Sequence, residues 1–257
     1  MDARRAEGIA EGELAPEALS AGERALETLV RKSVQAPATL IPDDLRPVLE
    51  AFGTVGTLEL VIVLGAFHFI NRVADLVDIP SDVPLIQRRW RRLRTLGVRL
   101  QALGMRLAVD LRSRPVDVDA AALLAGIEAV RGAPLPAGYA SLRHAPNAAA
   151  SLHAMMRVVP SLDPAMLAHV TRVVAEALPA NQAEATGFHP RPPDPLDALA
   201  FVGTRYVVRV TDDMVDAVRR RYAMSDPELT DLFYAIAVRN TTERLDRLLR
   251  APLPAPS

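Results

Sequence analysis

Residues 58–77 read Leu-Glu-Leu-Val-Ile-Val-Leu-Gly-Ala-Phe-His-Phe-Ile-Asn-Arg-Val-Ala-Asp-Leu-Val, and this stretch decides the fold. Apolar residues occupy almost the whole circumference of the helix that it would form, and its polar side chains, among them His68, Asn71 and Arg72, come mostly in the second half. A helix that is apolar on nearly every face must be enclosed by other elements. The stretch therefore predicts a central helix inside a larger body.

The composition favours helices for that body as well. The chain has 257 residues, half of them hydrophobic and only 4% aromatic, so that leucine, valine and alanine must build the core. Helical periodicity dominates and strand-like alternation is nearly absent. The sequence thus predicts an all-α fold, with helices near residues 21–34, 43–53, 57–78, 83–112, 118–131, 147–158, 164–178, 195–210, 212–222 and 226–249.

Two proline-rich stretches divide the chain. Residues 132–146 and 179–195 together hold eight prolines, and we expect no regular element in either. The predicted organisation is a flexible N-terminal segment at 1–20, one helical domain at 21–250 and a tail at 251–257.

Composition also excludes several classes of function. The chain has no cysteine, so it has no disulfide, thiolate zinc site or thiol redox centre. Its net charge of −1 produces no field that would attract nucleic acid or an anionic membrane. The unbroken apolar run 60–67 is far shorter than the roughly 20 residues that cross a bilayer. We expect a cytoplasmic protein with no nucleic-acid and no membrane partner.

The arginine-rich run from Arg88 to Arg94, which contains Trp90, is the one local feature typical of nucleic-acid binding. Leucines at helical spacing continue from it to residue 111, however. We therefore interpret its arginines as the solvated face of a long amphipathic helix.

A weak internal repeat relates the two ends of the chain. Asp43-Asp44 and Asp212-Asp213 each precede a short helix, a turn and a long apolar helix. Arg72 of the first long helix corresponds to Arg244 of the second. We expect repeat-like halves at 21–112 and 195–250 to pack together around a helical middle at 113–194. The alternative is a chance match, because amphipathic helices share one periodicity.

Residues 60–75, with Phe67-His-Phe-Ile-Asn-Arg72 at their centre, resemble the peroxidase-related branch of the AhpD-like, carboxymuconolactone decarboxylase superfamily. The corresponding helix of that branch reads Phe-x-Phe-x-Asn-Arg, followed by a small residue and an acid. The likeness covers residues 22–85 well and 195–249 weakly. It implies an AhpD-like helical bundle that assembles as symmetric dimers, trimers or hexamers.

The resemblance implies a chemistry that this chain cannot perform. The family reduces hydroperoxides with a glutamate, a Cys-x-x-Cys pair and a histidine, and its Cys-bearing helix precedes the Phe-x-Phe-x-Asn-Arg helix. Without cysteine, peroxidase activity by that route is excluded, because the thiolate is the nucleophile. We expect a chain that is truncated or rebuilt where the family keeps its active site.

His68, Arg72 and Asp75 are spaced i, i+4 and i+7, so they share one helical face with Asn71 beside it. A pocket there would use His68 as acid or base, Arg72 as the clamp for an anion and Asn71 as a substrate contact. The favoured alternative is structural: an Arg72–Asp75 pair that secures the helix end, with His68 hydrogen-bonded at its margin. Glu59, on the opposite side, is expected to pair with an arginine of a neighbouring helix.

No other motif adds a site. The remaining histidines, His144, His153, His169 and His189, lack metal-ligand spacing, and the chain has neither a phosphate-binding glycine loop nor a nucleophile elbow. The sequence therefore predicts no metal and no cofactor.

Two functions remain open. The favoured one is a non-thiol, non-catalytic family member that binds a ligand or forms oligomers. The alternative is a small-molecule enzyme with acid–base chemistry at His68 and an anion clamp at Arg72. The expected partners are further copies of the chain, a small-molecule ligand, and a Cys-bearing family chain that supplies the missing helix.

Overall fold

The computed structural model describes residues 19–76, 119–131, 133–156, 162–187 and 190–256, and every regular element in these ranges is helical. The prediction of an all-α fold is confirmed. The predicted helix 83–112, with Arg88–Arg94 and Trp90, lies outside the described residues, as does His189.

The α-helices of the described ranges follow the predicted order. They are α1 Ala21–Gln35, α2 Arg46–Leu76, α3 Ala120–Arg131, α4 Pro146–Met156, α5 Pro164–Ala177, α6 Gln182–Thr186, α7 Pro195–Arg205, α8 Asp212–Tyr222 and α9 Asp226–Leu248. Short 3-10 helices occupy Pro37–Thr39, Pro42–Leu45, Ala137–His144 and Val207–Arg209.

Side-chain caps set several of the helix starts. Ser20 accepts a hydrogen bond from the Glu23 amide at 3.2 Å, and the Glu23 carboxylate accepts one from the Ser20 amide at 2.7 Å. Asp163 and Asp194 each cap a helix whose first residue is proline, which needs no hydrogen-bond partner for its nitrogen. These helices begin where local sequence satisfies their first amides.

Both proline-rich stretches contain a helical turn, so the expectation of no regular element there is wrong. Residues Ala137–His144 form a 3-10 helix, and Gln182–Thr186 form α6 behind the cap of Asn181. Proline removes one amide donor, but the residues between two prolines can still form a helical turn. The gap between Pro179 and Pro190 is long enough for one capped turn.

Helix α2 bends at Gly53. The backbone there has φ 66° and ψ 178°, a region that is essentially restricted to glycine, and the sequence had predicted two separate helices around this point. After the bend, Gly65 lets α9 approach closely, because a Cβ atom on it would lie 3.2 Å from the Leu245 side chain.

The core forms two clusters that α9 connects. One cluster gathers α1, α2, α3, α4 and the C-terminal end of α9, and the other gathers α5, α7, α8 and the N-terminal part of α9. Leu76, at the end of α2, belongs to the second cluster. The two long helices α2 and α9 pack directly against each other, and this pair forms the most extensive helix contact of the described residues.

The backbone after α1 closely resembles the backbone after α7. Ala36 has φ −141° and ψ 52°, and Tyr206 has φ −138° and ψ 49°; a one-turn 3-10 helix follows each of them. The next turn ends at Ile41 in one copy and at Thr211 in the other, both extended. The local backbone of these two connections is therefore alike.

One helical stretch of the described chain, Pro42–Leu76, is long and apolar enough to cross a membrane by length and composition, although the sequence, judged by its unbroken apolar run, excluded such a span. Single polar residues interrupt the apolar run, but the mean hydropathy of the most apolar window of the helix remains high enough for a membrane span. The core helix of a soluble protein passes the same test, and 44% of the most apolar window is buried inside the protein.

Candidate functional site

His68 lies between α2 and α1 and is tied to Ser33. Its Nε2 atom is 3.0 Å from the Ser33 hydroxyl, which itself donates to the carbonyl of Val30 at 2.7 Å. Both contacts are hydrogen bonds only if His68 carries its proton on Nε2 and donates it to Ser33. The imidazole therefore serves as a link between two helices.

The surroundings of His68 keep it neutral. Burial, followed by the positive charges of Arg244 and Arg72, lowers its pKa from 6.5 to about 3. A proton acceptor with that pKa is a weak base at neutral pH, far from the range in which general bases work best. Asn71 and Asp75, which the sequence placed in the same site, are exposed to solvent.

Arg72 and Arg244 hold the ends of two other helices. Arg72 donates from Nη1 to the carbonyls of Gly203 at 2.6 Å and Thr204 at 3.1 Å, near the C-terminus of α7. Arg244 donates from Nε to the carbonyl of Ser33 at 3.0 Å, near the C-terminus of α1. Cations in these positions satisfy carbonyls that the helix leaves without partners and complement the helix dipole.

We call these two contacts the arginine braces. Each brace runs from one long helix to the shorter helix of the other half of the chain. Burial lowers the pKa of Arg72 to about 10, and burial together with the charge of Arg72 lowers that of Arg244 to about 9. Both guanidinium groups are charged at neutral pH and already committed to protein carbonyls.

The structure therefore separates the predicted site residues. His68 and Arg72 lie in the interior, but the predicted ion pair of Arg72 with Asp75 is replaced by the bonds to α7, because no carboxylate lies within 4.0 Å of this guanidinium in the described ranges. Glu59 is exposed and forms no ion pair with the described residues, so its expected arginine partner stays a prediction.

A cleft of about 520 Å³ opens on another part of the molecule, between the end of α3, the start of α5 and the second half of α9. This volume falls in the range of small-molecule sites. Apolar residues of α3 and α5 form one wall, and polar residues of α9 form the other. The lining consists of Val130, Arg131, Ala133, Pro164, Leu167, Ala168, Thr171, Arg239, Thr242, Glu243 and Asp246.

One pair of charges in this cleft is already satisfied. Arg131 grips both carboxylate oxygens of Asp246, with a distance of 2.6 Å from Nη1, and Tyr139 donates its hydroxyl to the same carboxylate at 2.8 Å. The hydrogen bond with Asp246 raises the pKa of Arg131, although burial opposes the effect. Burial raises the pKa of Tyr139 well above its usual value. This triad is a rigid structural element.

A second pair of charges is not satisfied. Arg239 and Glu243 lie one turn apart on α9, and among the described residues neither side chain has a hydrogen bond or an ion pair. Burial lowers the pKa of Arg239 and raises that of Glu243, so both charged forms are disfavoured by their surroundings. Unpaired, half-buried charges that line a cleft are typical of binding or catalytic sites.

Sequence reasoning missed this cleft, although a signal was present. Arg239, Glu243 and Asp246 are spaced i, i+4 and i+7, the same pattern that drew attention to His68, Arg72 and Asp75. They interrupt a helix whose other faces are buried. Charged residues on one face of an otherwise enclosed helix mark either a bracing contact or a cleft, and only the fold distinguishes the two.

The other histidines that the structure describes do not form a further site. His169 pairs with Asp197, and His144 accepts a hydrogen bond from Arg143. Within the described ranges no group of three or more histidine, aspartate or glutamate side chains is placed to hold a metal ion. Comparison of the chain with protein-family models, with curated proteins and with solved structures found no match.

Proposed function

We propose that this protein is a non-thiol, non-catalytic relative of the AhpD-like family that binds a small ligand and forms oligomers. The Phe-x-Phe-x-Asn-Arg pattern of α2 supports the relationship, and the similar connections after α1 and α7 support a duplicated framework. The absence of cysteine from the sequence removes the family's peroxidase chemistry.

The non-catalytic part of the proposal rests on one observation, the hydrogen bond that ties His68 to Ser33. An acid–base residue needs access to substrate and a pKa near the working pH. His68 is instead hydrogen-bonded to Ser33, beside two arginines whose donors reach helix carbonyls. The residues that would form the alternative enzyme site hold helices together.

Chemical modification tests this assignment. Diethyl pyrocarbonate acylates accessible neutral imidazoles, and mass spectrometry of the peptides reports each histidine separately. We expect His68 to be protected in the native protein and to react in urea, while His169, whose side chain is 39% exposed, serves as the internal reference. Rapid modification of His68 in the native protein would support the enzyme alternative instead.

An exposed apolar stripe on α2 supports the oligomer. Val63, Phe67 and Ile70 are spaced i, i+4 and i+7 and are 51%, 53% and 58% exposed. Such a stripe is typical of an interaction surface. A second copy of the chain is the occupant that we propose, because one helical stripe can pair with itself across a two-fold axis.

Size-exclusion chromatography with light scattering tests the oligomer. We expect a dimer or a larger assembly for the natural chain and a smaller species for Phe67→Glu. Val208→Glu is the matched control, because Val208 is 82% exposed but is not part of the stripe. A monomeric natural chain would contradict the proposed oligomer. Binding of vesicles of neutral lipid through the stripe would contradict the cytoplasmic location expected from the sequence.

A further inference from the structure

The cleft between α3, α5 and α9 combines an apolar wall with two opposite charges. Leu167 and Ala168 of α5 and Val130 of α3 contribute apolar surface, and Arg239 and Glu243 face them from α9. Binding sites for small molecules commonly have this division, with an apolar lining and a few polar groups that fix orientation.

Neither of these side chains is tied to another element by a direct bond, although Arg239 and Glu243 attract each other along α9. Within the part of the chain that the structure describes, Arg239 and Glu243 contact no hydrogen-bond partner and lie more than 4.0 Å from any opposite charge. Asp246 is not available to Arg239, because Arg131 and Tyr139 already occupy it. Half-buried charges without partners are unfavourable, so a ligand that supplies both partners is strongly selected.

The sign of the charges restricts the class of ligand. A simple anion would pair with Arg239 but be repelled by Glu243. A simple cation would pair with Glu243 but be repelled by Arg239. A molecule that carries both a carboxylate and an ammonium group, one helical turn or less apart, satisfies both side chains. Its remaining atoms would then contact the apolar wall.

We propose that the cleft binds a small zwitterion with an apolar side chain, of the α-amino acid class, through its carboxylate at Arg239 and its ammonium group at Glu243. The Arg131–Asp246–Tyr139 triad fixes the end of α3 against α9 and so keeps the two walls of the cleft at a constant separation. This proposal rests on the ligand-binding part of the proposed function.

Isothermal titration calorimetry with matched probes tests the ligand class. The probes are L-leucine, 4-methylpentanoic acid, which lacks the ammonium group, and 3-methylbutylamine, which lacks the carboxylate. We expect L-leucine to bind at least roughly tenfold more tightly than either singly charged probe, a ratio that corresponds to about 1.4 kcal/mol. Equal affinity for L-leucine and one of the other probes, or no binding of any probe, would overturn the proposal.

Two variants test the residues. Arg239→Gln and Glu243→Gln each replace a charge with a neutral polar amide, with the side-chain length kept at 243 and shortened at 239, and each is expected to weaken L-leucine binding roughly tenfold or more. Arg250→Gln, an exposed residue outside the cleft, is the control and should bind as the natural chain does. Unchanged affinity in both cleft variants would overturn the assignment of residues.

The result can be separated from that of the proposed function. Thermal unfolding of each variant shows whether the fold is intact, and full L-leucine binding by either folded variant would overturn the role assigned to that residue. If His68 is protected, the oligomer is intact and no probe binds, the non-catalytic oligomer is supported and the zwitterion site is refuted. If His68 is rapidly acylated and L-leucine binds normally, the zwitterion site is supported and the non-catalytic role of His68 is refuted.

Discussion

His68 should make the protein less stable as the pH falls from 7 to 5. Its pKa in the folded protein is lowered from 6.5 to about 3, first by burial and then by the charges of Arg244 and Arg72. The unfolded chain therefore binds a proton at this imidazole below about pH 6.5, while the folded protein keeps it neutral. Stability is lost as the pH drops wherever the unfolded state binds more protons.

The magnitude follows from the two pKa values. At pH 5 the unfolded imidazole is about 1.5 pH units below its pKa, and each pH unit is worth about 1.4 kcal/mol, so His68 alone costs about 2 kcal/mol relative to pH 7. The loss continues toward pH 3, where the folded protein also takes up the proton. His68→Gln removes the titration but retains an amide that can donate to Ser33.

Urea unfolding at pH 7, 6 and 5 measures the effect. The stability of His68→Gln relative to the natural chain, measured as the difference between their free energies of unfolding, should increase by about 2 kcal/mol between pH 7 and pH 5. His153→Gln, on α4 against Gly126, shows the effect of removing an imidazole away from the arginine braces. Parallel curves for the natural chain and His68→Gln would refute the idea that His68 is held neutral.

Five substitutions and one double variant test the backbone, the braces and the triad by urea unfolding. Ala223→Gly should stabilise the protein by about 1 kcal/mol, because Ala223 has φ 51° and alanine is strained there. Gly53→Ala should destabilise it by about 2 kcal/mol, because Gly53 has φ 66°, although space for the methyl group exists. Arg72→Leu and Arg244→Leu should each cost about 3 kcal/mol from lost hydrogen bonds. The double variant should cost more than the sum, since each single change also relieves the repulsion between the two cations, a gain that the double variant makes only once; additive costs would show that the two do not interact. Tyr139→Phe should cost about 2 kcal/mol, because the Asp246 carboxylate loses a donor, and an unchanged stability would contradict the structural role of the triad.

The sequence predicted helices well where local chemistry determines their ends. The starts of α5, α7 and α9 each combine a capping side chain with a proline in the first turn, and a signal of this kind depends only on neighbouring residues. Helix α6 was missed because its cap, Asn181, lies between prolines that appeared to forbid any element. The bend at Gly53 was located approximately, although its dihedral angles could not be foreseen.

The partners of the site residues could not be predicted from spacing. Periodicity places Arg72 and Asp75 on one face of α2, but the acceptors of Arg72 are carbonyls on α7, more than 130 residues away. The cleft could not be predicted from the sequence for the same reason, because its walls come from three helices that are distant in sequence. Which charge finds a partner and which is left for a ligand depends on the tertiary arrangement.

The arginine braces cross between the two halves of the chain, so neither half is self-sufficient. Cleavage between α4 and α5 would leave Arg72 in one fragment and its acceptors on α7 in the other, and would likewise divide Arg244 from α1. Each fragment alone would hold a cation without acceptors and a frayed helix end, whereas the mixture would recover both. The molecule is thus suited to complementation, in which two separately produced pieces regain a folded state only when they meet.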